Sequence, residues 1–223
     1  VEIVSAACES LREIIGVIPV GRYPFGICIT PDGSKLYVAN IGLFEYSALE
    51  GFDPKRFEET ALSFAAFPYL SGEMIHGATV DGIWVPGLGD PNVPESVSVY
   101  AVDLSVSNRG KVTARIKTGV LVGQKVEGIP ALGGSSPNSV VTDGEFVYVS
   151  NGTNDSITVI DVQSNKIVDE IRLRLHAPFH SLRGIIPFGL ALDPARKRLY
   201  VAESGINAVG VIDTETRDIL GHI

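Results

Sequence analysis

Apolar and polar positions alternate along this chain, or run apolar for five to seven residues, in short stretches rich in Val, Ile and Tyr and punctuated by turn residues. Such a pattern predicts β-strands rather than helices. Between positions 139 and 173 it resolves into four of them, about 139–142, 146–150, 156–162 and 166–173. Asp143-Gly144 supplies a hairpin turn, because glycine accepts positive φ, and 151–155 and 163–165 form the other two connections.

The same phrase is written three times. It reads Pro24-Phe25-Gly26 to Tyr37-Val38-Ala39-Asn40, then Pro137-Asn138-Ser139 to Tyr148-Val149-Ser150-Asn151, then Pro187-Phe188-Gly189 to Tyr200-Val201-Ala202-Glu203. Each copy goes on to an apolar strand that ends in aspartate, at Asp103, Asp161 and Asp213. Pro24 to Tyr37 and Pro187 to Tyr200 are both 13 residues, as are Tyr148 to Asp161 and Tyr200 to Asp213. Recurrence in phase over two intervals marks a repeat architecture. Four antiparallel strands in a unit of about forty residues are the signature of a β-propeller blade. A two-sheet sandwich is the alternative all-β arrangement, but it does not explain the recurrence. The expected division is 1–20 as the outer half of a blade, 21–118 as a blade carrying an insertion at 43–95, then 119–174 and 175–223 as two further blades. That makes about three and a half blades of an all-β propeller of seven or eight.

The Pro-x-Gly/Ser, Tyr-Val-x-Asn and Val-Ile-Asp pattern resembles the YVTN-repeat β-propellers, described as surface-layer or lactonase-like propellers. The resemblance is most specific at Tyr37 to Asn40, Tyr148 to Asn151 and Asn154 to Asp161, and it departs at Glu203, where the asparagine is replaced. Stretches such as Gly87-Leu88-Gly89-Asp90-Pro91-Asn92 resemble a subgroup of exported bacterial members, some of which carry a phosphoesterase-like domain after the propeller. The resemblance therefore implies a periplasmic or extracellular location. It also implies one of two roles: a noncatalytic scaffold, or part of a hydrolase acting at the channel or through an attached domain.

The connections are unequal, and this bears on function. In the first copy Tyr37 to Asp103 is 66 residues instead of 13, so the loop between the second and third strands carries 53 extra residues. Two more long segments, 119–136 and 175–186, join one blade to the next. In an up-and-down sheet, turns alternate between the two ends of the strands. All three long segments therefore leave from one end, and the tight turns at Asp32-Gly33, Asp143-Gly144, 163–165 and 214–216 from the other. Loops of this length on a rigid scaffold concentrate function, so that face is the expected binding surface, with Glu45, Tyr46, Asn154, His180, Arg183, Glu203 and Asn207 as candidate contacts. Within the insertion, Asp53-Pro54 is a helix start, and Phe57, Ala61, Phe64 and Ala65 fall at helical spacing to about Ala66. Phe44, Tyr46, Phe52, Phe67, Tyr69 and Trp84 make it aromatic, which suits a small core folding the loop onto the blade or a recognition patch for a glycan or peptide.

Composition narrows the chemistry. With 18 Lys+Arg against 26 Asp+Glu the net charge is −8, which disfavours nucleic acid as a partner and leaves protein, peptide or glycan, with the remainder of the propeller. No apolar run reaches the roughly 20 residues of a membrane span. Two cysteines, Cys8 and Cys28, make no disulfide framework. His176 and His180 have the i, i+4 spacing of a metal pair, but Pro178 opposes the helix it needs. Asp90, Asn92 and Glu95 lack an EF-hand pattern but offer oxygen ligands of the kind Ca²⁺ takes, so Ca²⁺ stays open there as an alternative to turn-capping and no other cofactor is expected. Ser135 and Ser136 follow Gly133-Gly134 without a Gly-x-Ser-x-Gly elbow. Glu45, Glu127 and Glu203 lie on the long-loop side. Asp103, Asp161 and Asp213 read as turn caps. No catalytic residue is assigned.

Overall fold

The computed structural model describes residues 2–4, 14–42, 50–61, 67–68, 70–87, 98–120, 123–126, 128–130 and 134–223. In chain order the strands are β1 Glu2–Val4, β2 Ile14–Val17, β3 Pro24–Ile29, β4 Lys35–Asn40, β5 Gly77–Val80, β6 Ile83–Pro86, β7 Ser98–Asp103, β8 Lys111–Lys117, β9 Lys125–Val126, β10 Ile129–Pro130, β11 Pro137–Thr142, β12 Phe146–Asn151, β13 Ser156–Asp161, β14 Lys166–Arg172, β15 Pro187–Asp193, β16 Arg198–Glu203, β17 Ala208–Asp213 and β18 Ile219–His222. Three four-stranded antiparallel sheets result, β3-β4-β7-β8, β11-β12-β13-β14 and β15-β16-β17-β18, with β1 and β2 paired ahead of them. These are the blades of a β-propeller.

The repeated residues have repeated jobs. Each sheet opens with a register shift just after its proline, between Pro24 and Ile27, Pro137 and Val140, and Pro187 and Leu190. Gly26 sits in the first of these, where an added Cβ would lie 2.3 Å from the Asn138 carbonyl oxygen, so the absent side chain lets β3 and β11 approach. Each residue before that proline is left-handed, with φ 49° at Tyr23, 51° at Ser136 and 52° at Ile186. Their carbonyls accept from the backbone N–H of Ile41, Gly152 and Ser204 respectively, stapling the incoming loop to the loop that follows the second strand. The strand-ending aspartates cap their turns as expected: Asp103 accepts from Ser105 N at 2.7 Å, Asp161 from Ser164 N at 2.6 Å and Asp213 from Glu215 N at 2.9 Å.

Packing is face to face between successive sheets. Tyr37, Ala39, Val99 and Ala101 of the first sheet meet Val140, Val147, Val149 and Ile160 of the second. Tyr148, Ile157, Val159 and Ile171 meet Leu199, Val201 and Ile212 of the third. Ile18 packs on Leu36, Val38 and Val102 on the far side of the first sheet. The buried Tyr37 hydroxyl donates to Asn165 Oδ1 in the next sheet at 2.8 Å, so the tyrosine of the repeated phrase ties one blade to the next as well as filling the space between them. Ser139 and Ser150 do the same for the following pair, Ser150 Oγ donating to Phe188 O at 2.7 Å and Leu190 N to Ser139 Oγ at 3.2 Å.

The insertion differs from its sequence reading. Asp53 caps as expected, accepting from Lys55 N, and a short 3₁₀ turn Pro54–Arg56 leads into α1, Phe57–Thr60. The helix ends at Thr60: Ala61 is extended, and the Thr60 hydroxyl turns back to the Arg56 and Asp53 carbonyls, while the rest of the expected span, 62–66, lies outside the described residues. A second helix, α2 Gly72–His76, is capped by Ser71, and a hairpin of β5 and β6 follows it. Phe52 packs edge to face on Phe57, while Trp84 is exposed on the hairpin. Phe44, Tyr46, Phe64, Ala65, Tyr69, Cys8 and the oxygen-rich Asp90, Asn92 and Glu95 lie outside the described residues. Among the described residues no helix is long and apolar enough to cross a membrane.

Candidate binding site at the channel mouth

The first strands β3, β11 and β15 lie side by side, and the loops above them meet. Ile75 of α2 lies against Gly123, where an added Cβ would come within 2.9 Å of it, so the 53-residue excursion touches the second long segment. The second and third long segments together roof a cavity of about 710 Å³. Its walls are Phe25, Ile41, Val126, Ile129, Ile186 and Phe188, with Ser136, Asn138, Thr153, Asn154, Asp155 and Arg183 as the polar side chains. Phe25 and Phe188 come from the first and third sheets, yet their rings meet edge to face with centroids 5.6 Å apart. They remain 56% and 44% exposed.

Most of the polar lining holds the loops in place. Asn154 Oδ1 accepts from Val120 N at 2.7 Å. The left-handed, buried Asp155 accepts from Gly184 N at 2.7 Å and Ile186 N at 2.8 Å, one bond to each oxygen, which anchors the third long segment to the second blade. The Thr153 hydroxyl donates to Gly134 O. Asn138 is different. It is 6% exposed, and its amide makes no hydrogen bond among the described residues.

The residues anticipated from sequence are distributed unevenly. Asn154 and Arg183 come together in this cavity. His180 opens instead on a second cavity of about 640 Å³ between β14 and β18, near His176, whose proline-containing segment forms a 3₁₀ turn, Ala177–Phe179. Asn207 is exposed and left-handed ahead of β17. Glu203 is wholly buried at the end of β16, its Oε2 2.6 Å from His222 Nδ1, and His222 Nε2 is 3.0 Å from the Arg174 carbonyl. Burial pushes its carboxyl above the usual range, and the hydrogen bond and charge of His222 pull it part of the way back. Glu45, Tyr46 and Glu127 lie outside the described residues. Among the described residues no group of three His, Cys, Asp or Glu side chains is placed to hold a metal ion. Sequence reasoning passed over Phe25, Asn138, Asp155 and Phe188. The signal for all but Asp155 was their place at the start of the repeated phrase, where a first strand lines the channel.

The family profile for lactonase, 7-bladed β-propeller matches residues 96–219, more than half of the chain. No curated protein matches it by sequence. Among solved structures the chain is similar to hydrazine synthase of Kuenenia stuttgartiensis, with a TM-score of 0.50 and 24% identity over 94% of this chain and 38% of that one. It is also similar to virginiamycin B lyase of Staphylococcus aureus (0.46, 12%, 90% and 40%) and to the WD40 repeats of RRP9 (0.48, 11%, 99% and 44%). The chain thus spans about two fifths of the length of the structures it matches.

Proposed function

Because this chain belongs to the seven-bladed β-propeller lactonase family, we propose that it is part of a propeller scaffold whose long-loop face binds a protein, peptide or glycan partner at the channel-mouth cavity. One observation carries the reading. Two half-exposed phenylalanines from different blades are held edge to face in an apolar cavity roofed by the two inter-blade loops. Exposed aromatic surface is costly unless something covers it, and a concave, mostly apolar pocket with a few polar groups is the usual form of a ligand site.

The test is binding of Nile red, followed by its fluorescence, to the chain and to the double variant Phe25→Ala/Phe188→Ala. Losing two aromatic contacts should weaken binding at the cavity by about tenfold or more. Unchanged dye affinity in the double variant would overturn the reading.

A second reading, hydrolysis, draws on the family's description. Asp155 is the one carboxylate among the described lining residues, and both its oxygens already accept backbone N–H groups. A hydrolytic site here would therefore take its acid and base from elsewhere in the whole protein. Turnover of simple γ- and δ-lactones by the whole protein, abolished by blocking the cavity, would favour this reading over the scaffold.

A further inference from the structure

Resting on the reading of the cavity as a binding site, we infer that its occupant is a neutral, apolar, extended peptide segment, one residue of which pairs its backbone N–H and C=O with the Asn138 amide. Asn138 lines the cavity, is 6% exposed as a residue, and its side chain makes no hydrogen bond among the described residues. A primary amide carries two donors and an acceptor, and those of Asn138, unpaired and not sealed off from the cavity, are left for an occupant. An extended peptide residue presents its own N–H and C=O on the same side, as in an antiparallel pair, so it can meet the Asn138 C=O and N–H with two bonds at once. The cramped approach at Gly152, where an added Cβ would lie 2.6 Å from Asn138 Nδ2, limits the room the amide has to turn away.

The rest of the lining selects the class. Thr153, Asn154 and Asp155 are engaged in holding loops. A sugar ring brings several hydroxyls that each need a partner, and walls of Phe25, Ile41, Val126, Ile129, Ile186 and Phe188 supply none. Leucine- and phenylalanine-sized side chains suit those walls. The charged lining residues are Asp155 and Arg183, one of each sign, so the cavity favours no net charge on its occupant. A cavity of about 710 Å³ lies within the range of roughly 300–1,000 Å³ that small ligands fill, enough for a short capped peptide.

Displacement of Nile red from the chain tests this with three probes: N-acetyl-Leu-Phe-Leu-amide, the same peptide methylated on its backbone nitrogens, and the neutral trisaccharide maltotriose. The peptide should displace the dye and its methylated analogue should do so at least tenfold more weakly. Asn138→Leu should abolish that difference, and the methylated analogue on the unaltered chain reads the same contact if that variant does not fold. Equal displacement by both peptides would overturn the role of Asn138. Displacement by maltotriose and not by the peptide would overturn the peptide class while leaving the cavity as a binding site. Dye bound equally well by Phe25→Ala/Phe188→Ala would remove the underlying reading itself.

Discussion

Replacing His222 by alanine would strip a buried carboxylate of its partner. Where the first two copies of the repeat end their second strand in Asn40 and Asn151, the third ends in Glu203, whose side chain is 0% exposed against 20% for His222. The neighbouring strands have changed with it. Thr158 and Glu170 surround Asn151, and at the same registers of the third sheet stand Gly210 and His222. The glycine is required, because a Cβ there would lie 2.5 Å from Glu203 Oε1. The Arg174 carbonyl can only accept, so His222 Nε2 carries a hydrogen and Nδ1 faces the carboxylate. Breaking a buried pair from one side costs roughly 3–5 kcal/mol. The partial exposure of His222 puts His222→Ala near the lower figure, about 3 kcal/mol, or on the order of a hundredfold in the unfolding constant. Urea denaturation followed by circular dichroism at pH 7 and pH 5 measures it. The sign follows from the raised carboxyl. Protonation of Glu203 favours the folded state, a contribution present below its unfolded value of 4.5 and lost as pH rises through the higher folded value. Removing His222 raises the folded value further, so the deficit should be large at pH 7 and shrink towards pH 5. A deficit of equal size at both pH values, or none at pH 7, would refute the assignment of Glu203 as a charge held by His222.

Three other outcomes are expected. Asp155→Ala, which removes both of that side chain's bonds to the third long segment, should speed tryptic cleavage after Arg183 by tenfold or more while far-UV circular dichroism stays unchanged. Hydrogen bonds from Thr30 and Ser34 lower Asp32 to about 2, and turn groups also hold Asp103, Asp161 and Asp213 below their ordinary 3.8. Their stabilisation is complete above 3.8 and lost as pH falls through the lower folded values, so an acid titration should show unfolding setting in below about pH 4, and Asp161→Asn should make it less steep. Burial pushes the Cys28 thiol up to about 12, so Ellman's reagent at pH 8 should label it far more slowly in the folded chain than in urea.

How far the sequence could be read depended on how local the signal was. The strand quartets were legible because alternation, the proline before each first strand and the aspartate after each third one act within a few residues. The hairpin of β5 and β6 was equally local: Asp81-Gly82, both at positive φ, is the same dipeptide signal as Asp143-Gly144, and it was overlooked among the aromatics of the insertion. The end of α1 was misjudged because helical spacing of Phe57 and Ala61 says nothing of Thr60 hydrogen bonding back on its own turn.

The sequence by itself determined the repeating unit, its phase, and the side from which the long segments leave, since all three follow from short-range periodicity and the alternation of turns. Only the tertiary structure decided what those segments surround. Phe25 and Phe188 meet although 163 positions separate them, and the unengaged Asn138 amide lies in the same cavity. Glu203 turned out to be an internal charge rather than a surface contact, because its partner stands two strands away at the matching register. Such juxtapositions depend on how sheets stack face to face about an axis, and no window of local sequence carries that geometry.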